Sequence, residues 1–167
     1  LLSCVFGIQS SQNTAILYEE KVTTAESNLG NNMQRRADLI PNLVDCVKQY
    51  DKHEYETLMA VVEARCNSQM SESTATEIKN QITAVAESYP QLESSTQYQN
   101  LMNELSITEN SILEYRNTYN SSIENYNRFV KRFPTRVFLN ITGYEVKTFS
   151  KLTYSTNQEA PKNIFGE

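Results

Sequence analysis

The sequence predicts an all-α protein: an antiparallel four-helix bundle, up-down-up-down and coiled-coil-like, followed by an extended C-terminal arm. Tyr98, Leu105, Ile112, Tyr119, Tyr126 and Phe133 recur every seven residues, with Leu101, Thr108, Tyr115, Ser122 and Phe129 as a second row. A 3.5-residue repeat held over this distance calls for long helices packed with a left-handed twist. Only four glycines and four prolines occur in 167 residues, too little turn material for the many reversals of an all-β fold. A chain of this length can also bury one core without disulfides or metal.

The first ten residues, beginning LLSCVFGI, form an apolar segment. Eight apolar residues fall short of the roughly 20 that cross a bilayer. Three readings stay open: the last turns of a membrane anchor, a processed signal remnant, or an arm that docks on a partner. In a variant of the second, Leu1-Leu2-Ser3-Cys4 resembles a lipobox with Cys4 as the lipidated residue, although Leu1 to Ser3 would then have been removed.

The first helix is expected over 8–36, because Ala15, Tyr18, Val22, Ala25, Leu29 and Met33 recur in steps of three and four. RRADLIPNLV follows, and Pro41 deep in a helix would lose a backbone hydrogen bond at a cost of about 3 kcal/mol. A break after Arg36 is therefore expected. Asp38 would cap a new helix, Pro41 would lie in its first turn, and Leu39, Ile40, Leu43 and Val44 would seal a corner.

That second helix is expected over 39–67, with Val47, Tyr50 and Leu58 facing inward and His53 midway along it, partly exposed. NSQMSEST is a polar connection. Ser73-Thr74-Ala75-Thr76-Glu77 offers a hydroxyl cap for a third helix, 73–89, which ends before Pro90. The heptad rows make a fourth helix over 97–132, and the aromatic stripe reads as core. Residues 134–167 change to a β-branched and aromatic composition and read as an arm. The resulting division is an apolar segment 1–10, a helical bundle 11–133 and an arm 134–167.

Composition and motifs narrow the chemistry. The net charge of −5 opposes broad phosphate-backbone binding. The cluster Arg128, Lys131, Arg132 and Arg136 is expected to offset the dipole at the fourth helix's end. The three cysteines contain no C-x-x-C pair. Cys46 and Cys66, 20 residues apart on one expected helix, would be separated by roughly 30 Å, too far for a disulfide. A single histidine cannot supply a di-iron carboxylate site or complete H-E-x-x-H. The glycines form no phosphate loop, and there is no G-x-S-x-G elbow. No catalytic residue, metal site, cofactor or small-molecule substrate is expected. Asn140-Ile141-Thr142 fits a glycosylation sequon, a pattern that chance produces easily in so Asn-rich a chain.

The run RRADLIPNLVDCVKQYDKHEYETLMAVVEAR resembles the signature of the LemA family. Its matching positions are Arg35, Arg36, Asp38, Leu39, Ile40, Pro41, Asn42, Leu43 and Val44, then Val47, Lys48, Tyr50, His53, Glu54, Leu58, Val61, Ala64 and Arg65. A second stretch, Tyr119-Asn120, Tyr126-Asn127 and Phe133-Pro134, matches the family's Tyr-Asn repeat, and Gly143-Tyr144 and Ala160-Pro161 match its tail. Glu26 stands where the family carries tryptophan, and Gln49 replaces the glycine before Tyr50.

The resemblance covers roughly residues 15 to 165. It implies a short N-terminal anchor and a helical bundle on the extracytoplasmic side of a bacterial envelope, with no secure activity or cofactor. The expected function is a non-enzymatic, membrane-associated scaffold. Its partners would be the membrane, through the N-terminus, and other proteins or further copies of the chain, with no nucleic acid. The alternative is a structural subunit of a larger assembly such as a filament, envelope complex or virus particle.

Overall fold

The computed structural model describes residues 2–65 and 71–153. The fold is all-helical, with no strand among the described residues: α1 (Leu2–Val47), α2 (Lys52–Arg65), α3 (Glu72–Ser88), α4 (Pro90–Glu93), α5 (Thr96–Lys131) and α6 (Thr135–Thr142). No helix among them is long and apolar enough to cross a membrane.

The expected break after Arg36 is absent. The chain runs through it as one helix with Pro41 inside, and RRADLIPNLV is not a corner. Packing explains why. Leu39, Ile40, Leu43, Val44 and Val47 are all buried in one cluster, each contributing about 1.5–3 kcal/mol. Their sum exceeds the roughly 3 kcal/mol that an interior proline costs. The reversal comes later, at residues 48–51. Asp51, not Asp38, is the cap: its Oδ1 accepts the backbone N–H groups of His53 (2.9 Å) and Glu54 (3.0 Å). Asp51-Lys52-His53-Glu54 thus has the spacing of a capping box. His53 accordingly lies in the first turn of α2, exposed, rather than midway along a helix.

The cap of α3 is Ser71 rather than Ser73. Its hydroxyl accepts the Thr74 N–H at 3.1 Å. The helix ends before Tyr89-Pro90 as expected, since the residue preceding a proline is driven out of the α region, and Pro90 opens the single turn α4. The heptad row is buried from Tyr98 through Tyr126. Phe133, its last member, is 81% exposed, because α5 has ended at Lys131.

The expected arm begins as a helix. Phe133–Pro134 is a cis peptide, α6 follows, and Gly143 closes it at φ 69°, a left-handed conformation that costs glycine little. Residues 144–153 have no regular structure. The rest of the expected arm, Ala160-Pro161 included, lies outside the described residues, as do Cys66 and its connection.

The chain divides into two compact units, Glu20–Tyr119 and the combination of the residues up to Glu19 with those from Asn120 onward. The core of the Glu20–Tyr119 unit joins α1 to α2, α3, α4 and α5 through side chains such as Leu43, Leu58, Ile78, Ile82, Leu92 and Leu105. In the other unit, Tyr18 of α1 stacks on Phe129 of α5 with centroids 5.3 Å apart. There Gly7 faces the Phe138 ring, and a Cβ on it would stand in ordinary contact 3.6 Å from Cε2.

Candidate functional site

Within the Glu20–Tyr119 unit, the paired arginines separate by one helical step of about 100°. Arg35 reaches the surface and binds the Glu104 carboxylate through Nε (3.1 Å) and Nη2 (2.5 Å). Arg36 turns inward and is 3% exposed. It borders a cavity of about 240 Å³ with Glu72, Thr76, Lys79, Asn80 and Glu109. Lys79 binds Glu109 at 2.6 Å and Arg116 binds Glu72 at 2.8 Å, so both carboxylates are engaged. Burial pulls the Arg36 guanidinium below its usual pKa range, while Glu72 and Glu109 oppose that shift. Arginine remains protonated in proteins and cannot act as a base. The arrangement is a charge cluster that ties α1, α3 and α5 together.

A second site-like feature is a groove of about 480 Å³ bordered by Asp51, Glu54, Thr57, Leu58, Val85 and Tyr89. Tyr89 donates its hydroxyl to Asp51 Oδ2 at 2.7 Å. The Asp51 carboxyl is held below its ordinary range, first by the Glu54 backbone N–H and then by Tyr89, and the Tyr89 phenol is raised in return. These bonds bind the start of α2 to the end of α3.

In the other unit, α5 holds the chain after α6 through hydrogen bonds. Tyr126 is fully buried, and its hydroxyl accepts the Lys147 backbone N–H at 2.9 Å. The Tyr126 and Tyr144 hydroxyls are 3.3 Å apart, and Tyr144 donates to Glu19 Oε2 at 2.7 Å. One proton per hydroxyl then fixes the direction: Tyr126 donates to Tyr144, which donates to Glu19. Lys147 Nζ also binds Glu19. Glu19 is held below the usual carboxylate range, chiefly by Lys147 and then by Tyr144. Burial and these neighbours push the Tyr144 phenol up. Asn120 donates to the Leu152 carbonyl (2.9 Å) and accepts the Leu152 N–H (3.0 Å). Phe149 meets the Tyr126 ring edge-on with centroids 5.2 Å apart.

The residues singled out by sequence thus have separate duties. Leu39, Ile40, Leu43, Val44 and Tyr119 are core, and Pro41 is half-buried within α1. Asp38 is exposed and accepts from Gln34 at 2.9 Å instead of pairing with Arg35 or Arg36. Asn42 is exposed, with its carbonyl accepting the Cys46 thiol at 3.4 Å. Asn120 and Tyr126 fasten the arm, Asn127 is half-buried, and Phe133 and Pro134 are exposed. Cys4 lies in α1, but its side chain is outside the described part. Sequence reasoning missed Asp51, whose cap spacing before Glu54 was legible, and Glu19, Glu72 and Glu109, whose partners are distant in sequence; it named Tyr144 only as a match to the family's tail. Among the described residues no three His, Cys, Asp or Glu side chains group as a metal site would require.

The model of the LemA family matches residues 25–165, which include both motif stretches and the described part of the arm. No curated protein matches the chain.

Proposed function

The chain belongs to the LemA family, and on that premise we propose that it is a non-enzymatic, membrane-associated scaffold or interaction protein. In this reading α1, α2, α3 and α5 are the members of an antiparallel up-down-up-down bundle that lies on the extracytoplasmic side of a membrane. The observation that carries it is the apolar surface near the start of α1. Val5 is 59% and Phe6 69% exposed, and Ile16 and Leu17 further along are exposed as well. Burying a side chain of this kind contributes about 1.5–3 kcal/mol, so a bilayer that covered Val5 and Phe6 would gain from both. The engagement of Glu19, Asp51, Glu72 and Glu109 in bonds within the protein supports the non-enzymatic part.

Flotation with phosphatidylcholine vesicles tests the proposal by comparing the full chain with a form lacking residues 1–10. The full chain is expected to float and the shortened one to remain in the dense fraction. Equal recovery of both in the dense fraction would sink the reading.

A further inference from the structure

We propose that the junction of α5 and α6 is a second membrane contact, specific for anionic lipid headgroups; it rests on the membrane reading above but uses other residues. In the unit that contains it, α6 buries Thr135 and Leu139 and leaves Val137 and Ile141 exposed one turn apart. Phe133, four residues before Val137, is the most exposed large hydrophobic among the described residues. Phe138, between these exposed residues, faces Gly7 of α1, which leaves Val137 and Ile141 on the outer side. A short helix buried on one face and apolar on the other suits the boundary between headgroups and acyl chains.

The charges at this junction are of one sign. Arg128, Lys131, Arg132 and Arg136 are all exposed; Arg128 shares Glu124 with Lys151, while Lys131, Arg132 and Arg136 make no ion pair among the described residues, whereas Lys147 of the same unit is paired with Glu19. Arg132 lies over the Phe129 ring at 5.9 Å. The dipole of α5 accounts for cations in its last turn, but Arg136 stands in the first turn of α6, where a cation opposes the dipole. Lys131, Arg132 and Arg136, unpaired among the described residues and next in sequence to exposed Phe133 and Val137, complement an anionic bilayer even on a chain of net charge −5, since basic residues near the surface each add attraction. A second copy of the chain is a poorer occupant, because a two-fold contact would set the same cations against themselves.

The test measures binding of the full chain to vesicles of phosphatidylcholine alone and of phosphatidylcholine with phosphatidylglycerol. The anionic vesicles should bind at least about tenfold more tightly, and Arg132→Gln with Arg136→Gln should remove most of that gain while leaving binding to neutral vesicles unchanged. Lys48→Gln with Lys52→Gln, an equal charge change elsewhere, should keep the gain. Equal binding to the two vesicle types, or equal loss in the two double variants, overturns this contact. It is also overturned if Val137→Asn with Ile141→Asn abolishes a concentration-dependent dimer in ultracentrifugation and leaves lipid binding intact. Failure on neutral vesicles alone counts against the α1 anchor and not against the junction, so the two readings fail separately.

Discussion

The unit Glu20–Tyr119 and the unit built from the two ends of the chain handle apolar surface in opposite ways. Among the described residues, the first leaves only Ile107 as an exposed large hydrophobic, while the second leaves Val5, Phe6, Ile16, Leu17, Phe133, Val137, Ile141, Val146 and Leu152. Their polar interiors differ too. The first buries an arginine among paired charges, and the second uses hydroxyl, amide and carboxylate groups to fasten an irregular segment to α5. A closed core with a charge cluster at its edge suits a stable body. Open apolar surface and an arm held by a few hydrogen bonds suit a part that engages something else.

The largest expected effect lies in the closed unit. Arg36→Ala should cost about 2–5 kcal/mol, because it leaves a cavity where the buried side chain packed and removes a charge that Glu72 and Glu109 favour. Urea denaturation would measure this, and Arg36→Met should recover part of the loss by restoring the packing of the stem. A cost below about 1 kcal/mol would mean that the cluster does not organise this unit. Pro41→Ala comes next, with the opposite sign. The helix regains a hydrogen bond, and stability should rise by about 2–3 kcal/mol, reduced somewhat by the greater freedom of the unfolded chain. No gain would show that α1 accommodates Pro41 without strain.

The arm should respond more weakly and locally. Tyr126→Phe deletes the acceptor for the Lys147 N–H and should cost about 1–2 kcal/mol. Hydrogen exchange should then speed up at residues 144–152 and stay unchanged around Leu43 and Ile82; equal loosening of both would erase the distinction between the units. The smallest effect is a pH dependence. The folded pKa of Glu19 lies below its ordinary 4.5, so its stabilising contribution is complete well above pH 4.5 and is lost as pH falls through the folded value. Exchange in the arm should accelerate over that acid range in the native protein. Glu19→Gln should flatten the response.

Features with a local period were legible in the sequence. The heptad row identified the buried face of α5, and the three-and-four spacing identified Val22, Ala25 and Leu29 as core. Reading a break at Pro41 failed because a local penalty was weighed without the five buried side chains around it. Asp51, with the side chain of a cap, carried the right answer four residues past the end of α1. α6 was hidden by its composition, since VFLNIT is rich in residues that favour strands. The candidate sites were harder still. Glu19 and Tyr144, or Arg116 and Glu72, meet across long separations, and nothing in the spacing of either partner announces the other.

Asn120 has one further consequence. A side-chain amide is chemically a peptide group, with one face that donates and one that accepts, and Asn120 presents both to the backbone of Leu152. It therefore acts as a sheet edge one residue long, giving the arm a register without any strand beside it. Aspartate has the same shape but no donor, and would set oxygen against the Leu152 carbonyl. The register of the arm at Leu152 thus depends on a distinction between nitrogen and oxygen at a single atom.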